Sequence, residues 1–392
     1  MSVNEMKIED VYQILNNLHG QTSQGDALTV VDTASYNAVA SKTLAVGVDV
    51  VYNQLMNTIA KTIFSSRVFN SKFDGIIKDN LKYGGIIRKI SMADSDAIED
   101  KAFHDIVDGQ SVDHYVVRKN NVQELRWFGS FVYQDMMTVF RDQLVNSFNS
   151  AEMLGSFIAM MTQEINNKWT QYTDDLARGI LANAIGGKVA MNSDVIYLID
   201  EYNNATGSSL DKTSIWAKEN VKPFFEWVKG FIDTLSRRMT ERSTLYQVQI
   251  DGKKITRHTP YDKQKVYLTS DYLDIINTTV LSEAFHNEEL DYRDVRGVSY
   301  WQNITEPTSV LVTPSIVDEN GAVVTGAETQ VDNIFGLMFD EDAIAINIVD
   351  NIIVNTPMNA RGLYFNSFLT SHQRALTDYS EKMLVLLLDN AE

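Results

Sequence analysis

The chain of 392 residues contains no cysteine. That excludes disulfide frameworks, thiolate zinc sites, iron–sulfur clusters and cysteine nucleophiles. Proline is nearly as scarce: Pro223, Pro260, Pro307, Pro314 and Pro357 are the only five, and none lies in the first 222 positions. That half can therefore carry long uninterrupted elements. No apolar run approaches the roughly 20 residues of a membrane span; the longest, Met383 to Leu388, is far too short. Glu5, Glu9 and Asp10 stand where a secretory leader would need a positive start and an apolar run. A soluble protein that acts where it is made or assembled is expected. Positive charge is also in deficit, 34 basic against 52 acidic residues, for a net charge of −18. That balance argues against a nucleic-acid binder with a broad basic face, because such affinity comes from cations that neutralise phosphates. A local basic patch remains open.

What is present suits a folded chain. With 44% hydrophobic and 10% aromatic residues it can bury a core, and its length suggests two or three units of roughly 150 residues each. Ile8, Val11, Tyr12, Leu15 and Leu18 recur at helical spacing, Gly20 ends the pattern, and a Gly/Ser/Thr/Asp-rich stretch follows to about Ser41. A second helix is expected from Thr43 to Phe64, with Val50, Val51, Leu55 and Ile59 on one face. From Arg67 to Arg126 short β-type runs, Gly85 to Ser91 and Tyr115 to Lys119, flank an acidic interior. This pattern predicts a long two-stranded excursion, which cannot bury itself and rests on something else.

The strongest helix signal follows. Asn149 and Glu152 have capping-box spacing, and a stripe runs through Leu154, Phe157, Ile158, Met161, Ile165, Trp169, Tyr172, Leu176 and Ile180. Gly186-Gly187 reads as its C-terminal stop. From Val189 to about Phe335 an α/β module is expected, with a helix near Val221 to Met239 and strands at Leu245 to Ile250, Val266 to Thr269 and Val310 to Pro314. Asp318-Glu319-Asn320-Gly321 between two β-type runs marks a hairpin turn. The end is β-rich and closes with an apolar strand, Met383 to Leu388.

Chemistry-bearing motifs are sparse, and no cofactor is expected. The six histidines, His19, His104, His114, His258, His286 and His372, are scattered without ligand spacing, so surface or packing roles are expected. Asp340-Glu341-Asp342 could attract a hard cation, but reads better as an acidic turn. Gly186-Gly187-Lys188 lacks the first glycine and the hydroxyl of a phosphate loop, and no nucleophile-elbow spacing occurs. The basic residues are more informative. Arg88-Lys89 lies on one limb of the expected hairpin and Arg118-Lys119 on the other. Two readings stand: contacts to the acidic surface of another copy, or solvated edge charges that discourage aggregation.

Ordered motifs carry a resemblance. Thr62-Ile63-Phe64-Ser65-Ser66-Arg67, Tyr83-Gly84-Gly85-Ile86-Ile87-Arg88-Lys89-Ile90, His258-Thr259-Pro260 before Gln264-Lys265-Val266-Tyr267-Leu268, and Val298-Ser299-Tyr300-Trp301-Gln302 come first. Then follow Phe335-Gly336-Leu337-Met338-Phe339-Asp340-Glu341-Asp342-Ala343, Asn359-Ala360-Arg361-Gly362-Leu363-Tyr364 and Asp378-Tyr379-Ser380-Glu381-Lys382. Their order, from about Leu28 onward, resembles major capsid proteins of small short-tailed bacteriophages. The resemblance implies an α+β, Hong Kong 97-type shell fold: N-terminal arm 1–66, extended loop 67–126, peripheral domain 127–189 with its spine helix, axial domain 190–335, and returning peripheral strands 336–392. It leaves no room for an appended immunoglobulin-like domain, and a cleaved scaffolding segment would be shorter than the arm.

The same resemblance implies a non-enzymatic shell subunit in the virion, assembled in the host cytoplasm. It would form pentamers and hexamers around double-stranded DNA, with a scaffolding protein and a portal as partners. No membrane partner is implied. Arg88, Lys89, Arg118 and Lys119 are the candidate intersubunit contacts. Alternatives are a cellular nanocompartment shell of the same fold, a portal or tail protein, and a soluble hydrolase using two carboxylates.

Overall fold

In a computed structural model the described residues are 8–22, 29–56, 73–79, 87–94, 107–109, 111, 115, 121–127, 131–250, 252–279 and 294–390. The chain opens with helices α1 (Ile8–Thr22) and α2 (Thr33–Ala45). Strands β1 (Ile77–Asp79), β2 (Ile87–Met92), β3 (Val122–Trp127) and β4 (Phe131–Phe140) precede a short helix α3 (Arg141–Ser147) and the long helix α4 (Ala151–Ala190). Next come β5 (Val195–Tyr197), α5 (Leu198–Thr206), α6 (Lys218–Thr240), β6 (Gln264–Thr269), α7 (Ser270–Thr279) and β7 (Asp294–Val298). Short strands β8 (Val310–Val312), β9 (Ser315–Val317), β10 (Val323–Thr325) and β11 (Thr329–Val331) lead to β12 (Ile334–Asp340) and β13 (Ile344–Asn355). The chain ends with β14 (Tyr364–Thr377) and β15 (Met383–Leu387).

These segments cluster into two compact units. The first takes residues 1–82, 130–176 and 347–374. Its sheet has the order β1-β13-β14-β4. Leu154, Ile158, Met161, Ile165 and Trp169 of α4 form one buried core with Val11, Leu15 and Leu18 of α1 and with Phe365 and Leu369 of β14. Each such side chain contributes about 1.5–3 kcal/mol through burial. The core-facing side of the sheet also carries a polar seam. Ser367 Oγ donates to Asn355 Oδ1 at 2.7 Å, Ser371 Oγ to Asn351 Oδ1 at 2.7 Å, and Gln373 Nε2 to Thr173 Oγ1 at 3.0 Å. Such pairing offsets the cost of burying these groups.

The opposite side of this sheet is ordered in rows. β4 runs antiparallel to β14, with Phe140 opposite Tyr364, Thr138 opposite Asn366, Met136 opposite Phe368 and Gln134 opposite Thr370. Phe140 and Tyr364 make an edge contact with centroids 6.2 Å apart, and Thr138 Oγ1 donates to Asn366 Oδ1 at 2.8 Å. Apolar and polar rows alternate, which is how side chains specify register in a sheet.

The second unit takes residues 83–129, 177–346 and 375–392. Its five-stranded sheet has the order β5-β15-β12-β6-β7. β12 is antiparallel to both β15 and β6, whereas β5 and β7 join in parallel at the two edges. Every residue of β12 and β15 is buried, so both strands read as continuous apolar runs. Phe224, Phe225, Val228, Ile232 and Leu235 of α6 pack with Phe335, Met338, Leu384 and Leu386 from this sheet. Pro223 is the sixth residue of α6, past the first turn, since the Val221 N–H already bonds to the Ala217 carbonyl. It removes one intrahelical hydrogen bond, and the packing of the flanking Phe224 and Phe225 offsets that loss.

Several expectations are met, and others need correction. The closing strand, the helix near 221–239 and the turn at Asp318–Gly321 all form; Gly321 takes φ +79° there. Leu245 to Ile250 is irregular instead of a strand, because its hydrogen bonds go singly, Val248 N–H to the Tyr379 carbonyl and the Tyr246 carbonyl to the Met383 N–H. The second helix starts earlier than its apolar pattern suggests, at Thr33, because Asp32 and Ser35 form a reciprocal cap. It breaks at Gly47, with φ +130°, and helix resumes over residues 48–56. Residues 57–64 of the expected helix lie outside the described residues.

Gly186-Gly187 is not a stop. α4 passes through both glycines to Ala190, a length of about 60 Å for 40 residues. A Cβ at Gly186 would strike the Val312 side chain, and one at Gly187 would strike the Tyr379 hydroxyl and the Ser315 carbonyl. The glycines allow strands to approach the helix. Gly187→Ala is expected to cost about 1–3 kcal/mol by overpacking. Gly179→Ala, on an exposed part of the same helix with nothing within 4 Å, should gain up to about 1 kcal/mol. Urea unfolding of the two variants reads the difference.

Candidate subunit-contact site

β2 and β3 form a two-stranded antiparallel ribbon, with Arg88 opposite Arg126, Lys89 opposite Leu125 and Ile90 opposite Glu124. The first limb begins near where the sequence places it. The second is β3, beyond the expected run at Tyr115 to Lys119. Arg118 and Lys119, like most of the expected excursion, lie outside the described residues. Alternation gives the ribbon two faces.

One face turns onto its own unit. Lys89 Nζ lies 2.6 Å from Asp378 Oδ2 and 2.5 Å from Glu381 Oε1, and the Asp378 side chain has 0% exposure. Burial alone would lower the Lys89 pKa; the two carboxylates overcome this and raise it. One ammonium cannot neutralise two buried acids. Burial therefore pushes the Glu381 carboxyl up, although Lys89 and Arg257 pull it back. Ser91 Oγ accepts from Arg257 Nη2 at 2.7 Å, and Gln123 Nε2 donates to the Ile250 carbonyl at 2.7 Å. Just past β2, Asp94 accepts from Thr256 Oγ1 and N–H, each at 2.5 Å, and from Arg242 Nη2 at 2.6 Å. Those bonds, the Thr256 hydroxyl first, hold the Asp94 carboxyl below its ordinary range.

The other face turns to solvent. Ile90, Met92 and Val122 are 55%, 62% and 51% exposed. Glu124 Oε1 is shared by Arg88 Nε at 2.6 Å and Arg126 Nε at 2.8 Å. Two guanidinium groups against one carboxylate leave an excess positive charge among apolar side chains. Of the two described candidates, Arg88 is thus presented outward and Lys89 is engaged within its own chain. Sequence spacing could not reveal Asp378 and Glu381 as partners of Lys89. They lie 289 and 292 residues away, and the only local signal was a polar turn before an apolar strand.

A cleft of about 670 Å³ adjoins the ribbon, with Arg242, Arg257, His258, Asp340 and Asp342 in its walls. The acidic run there is a turn: the Asp340 carbonyl accepts from Ala343 N–H at 2.8 Å, its Oδ1 accepts from Asp342 N–H at 2.8 Å, and Glu341 pairs with Lys263 at 2.9 Å. Among the described residues no group of three or more His, Asp or Glu could hold a metal ion, and no helix is long and apolar enough to cross a membrane.

The sequence profile of the family described as Phi29-like phage major capsid protein matches residues 12–385. The chain belongs to that family. This phage major capsid protein is a structural component of the virion, not an enzyme, and its copies assemble into the capsid shell. No curated protein matches its sequence. Among solved structures, the capsid of Staphylococcus phage Andhra is similar at a TM-score of 0.50 with 11% identity, covering 83% of this chain and 84% of that one. The native bacteriophage P68 structure containing its head fiber and inner core protein is similar at 0.50 with 9% identity, covering 81% and 85%. At such identities the likeness is one of fold, the Hong Kong 97-type mixture of helices and strands.

The two cations of β2 should separate in stability. Lys89→Met leaves buried Asp378 without its counter-charge and Glu381 with Arg257 alone, at 3.4 Å, and should cost about 3 kcal/mol, whereas exposed Arg88→Met should change stability by less than about 1 kcal/mol. Because the Lys89 pKa is raised, its contribution is complete below the ordinary lysine value of 10.5 and fades as pH rises through the folded value. Denaturant unfolding at pH 7 and at rising alkaline pH measures both effects.

Proposed function

We propose that this capsid protein of a short-tailed phage forms the pentamers and hexamers of an icosahedral shell around double-stranded DNA. The observation that carries the reading is the ribbon's outward face, which exposes Ile90, Met92 and Val122 beside Arg88 and Arg126 on a chain of net charge −18. A ribbon whose inner face is clamped to its own unit and whose outer face is apolar and cationic gains burial by lying over the acidic surface of a neighbouring copy. Contacts of that head-to-tail type close into rings when the rotation between copies permits. The ribbon belongs to the extended loop, and α4 supplies the spine. The α/β segment 190–335 serves as the axial domain, its sheet completed by β12 and β15 of the returning segment 336–392; segment 127–189 and the returning strands β13 and β14 serve as the peripheral one and 1–66 as the arm. Arg88, with Arg118 and Lys119, contacts the neighbour; Lys89 acts indirectly by orienting the ribbon.

The acidic charge supports a container in preference to a binder, since a negative wall does not immobilise packaged DNA. A scaffolding protein and a portal are the partners this role requires during assembly in the host cytoplasm. Negative-stain microscopy with and without the scaffold tests the reading. Closed particles that protect DNA from nuclease are expected after packaging, and a monodisperse monomer under every condition would overturn it. Reversing Arg88, Arg118 and Lys119 to glutamate should lower particle yield at least tenfold while leaving circular dichroism unchanged; unchanged yield would remove these residues from the interface. Repulsion between copies is screened by salt, with a Debye length of about 30 Å at 0.01 M and 8 Å at 0.15 M. Particle yield should therefore rise over that range.

A further inference from the structure

β4 is the outer strand of the first unit's sheet, and among the described residues nothing pairs with its free edge. Natural sheet edges are usually guarded by lysine, proline, a bulge or shortness. This one has none of them: Phe131–Phe140 is ten residues without Lys, Arg, Pro or Gly. Its single charge, Asp135, is neutralised by Lys168 at 2.6 Å. Two backbone donors show which way the edge points. The Met136 N–H goes to Asp135 Oδ1 at 2.7 Å and the Phe140 N–H to Gln143 Oε1 at 3.3 Å. Side chains of the same chain thus hold even-numbered amides that a second strand could take.

The solvent-facing pattern of β4 reads the same in both directions. Val132, Met136 and Phe140 are apolar and are 55%, 49% and 51% exposed, and Gln134 and Thr138 between them are neutral hydrogen-bonding groups. About Met136 the series is symmetric. If a second β4 is laid antiparallel with Met136 at the centre, Val132 meets Phe140, Gln134 meets Thr138, and Met136 meets its own copy. Apolar residues of β4 then meet apolar ones and polar residues meet polar ones; the rows Phe140–Tyr364, Met136–Phe368, Thr138–Asn366 and Gln134–Thr370 continue in kind, and the Val132 row ends on His372. No like charges are opposed on that face.

We propose that β4 is an isologous two-fold contact, in which the β4 strands of two copies pair antiparallel about Met136 and join two four-stranded sheets into one. The occupant of the edge is a second copy of this chain. The inference rests on the reading as a shell subunit, since a closed shell of icosahedral symmetry contains two-fold axes, and it assigns one of them to a definite strand and register.

The absence of cysteine makes the test clean. In the proposed register two Met136→Cys residues oppose each other at a Cα separation of about 5.5 Å, inside the disulfide range of about 4.4–6.8 Å. Two Val132→Cys residues would be eight strand positions apart, about 27 Å. Oxidised particles of Met136→Cys should therefore give a disulfide dimer band on non-reducing gels at least tenfold stronger than particles of Val132→Cys. Particles co-assembled from Val132→Cys and Phe140→Cys should regain the band. If Met136→Cys does not assemble, the mixed pair Gln134→Cys and Thr138→Cys, opposed in the same register, carries the test. Intact particles without the Met136→Cys or the mixed-pair dimer, or with equal dimer from Val132→Cys, overturn the contact and leave the shell reading standing. Failure of the wild-type chain to form particles overturns both.

Discussion

Complete burial of the strand pair β12 and β15 is the constraint on which the second unit depends. Without disulfides, apolar burial must hold these strands, and α6 and α7 pack on the face that carries Phe335, Met338, Leu384 and Leu386. That burial extends into the turn before β15, where Asp378, Tyr379, Ser380, Glu381 and Lys382 are all buried. Buried charge must be paired or neutralised. Lys382 Nζ finds the Glu241 carbonyl at 2.7 Å and the Ser243 hydroxyl at 3.0 Å. Asp378 and Glu381 instead take an ammonium from the ribbon. Burying the sheet thus fixes how the ribbon leaves it.

The ribbon's two faces follow from that clamp. With Lys89, Ser91 and Gln123 turned inward, strand alternation forces Arg88, Ile90 and Met92 outward. An outward apolar and cationic surface is costly on an isolated subunit and useful on one that assembles. The net charge of −18 on each copy opposes association until such surfaces and salt offset it. A capsid needs that balance, because its contacts must be weak enough individually to correct errors and sufficient collectively to close a shell.

Helices and apolar strands were legible from the sequence because their signals are local. The stripe from Leu154 to Ile180, the run Met383 to Leu388 and the turn at Asp318–Gly321 each repeat or terminate within a few residues. The errors share one cause. Gly186-Gly187 has the composition of a stop, but its function is close approach to Val312 and Tyr379, which lie far away in the chain. Leu245 to Ile250 has strand composition, but its hydrogen bonds go singly to the segment around Tyr379 and Met383. Of the candidate contact residues, Arg88 and Lys89 were visible as a cation pair. Their separation into an exposed contact and a buried clamp was not.

By itself the sequence determined which features this chain lacks: thiols, an apolar run of helix-spanning length and an excess of basic residues. It also determined the order of its elements and the family to which that order belongs, because charge, periodicity and motif order are properties of neighbours along the chain. Only the tertiary structure decided which face of β2 is inside, which glycines serve packing, and which edge of the first unit's sheet has no strand beside it among the described residues. Those outcomes depend on groups tens to hundreds of residues apart being brought within 3 Å, where desolvation and pairing change the energy of each.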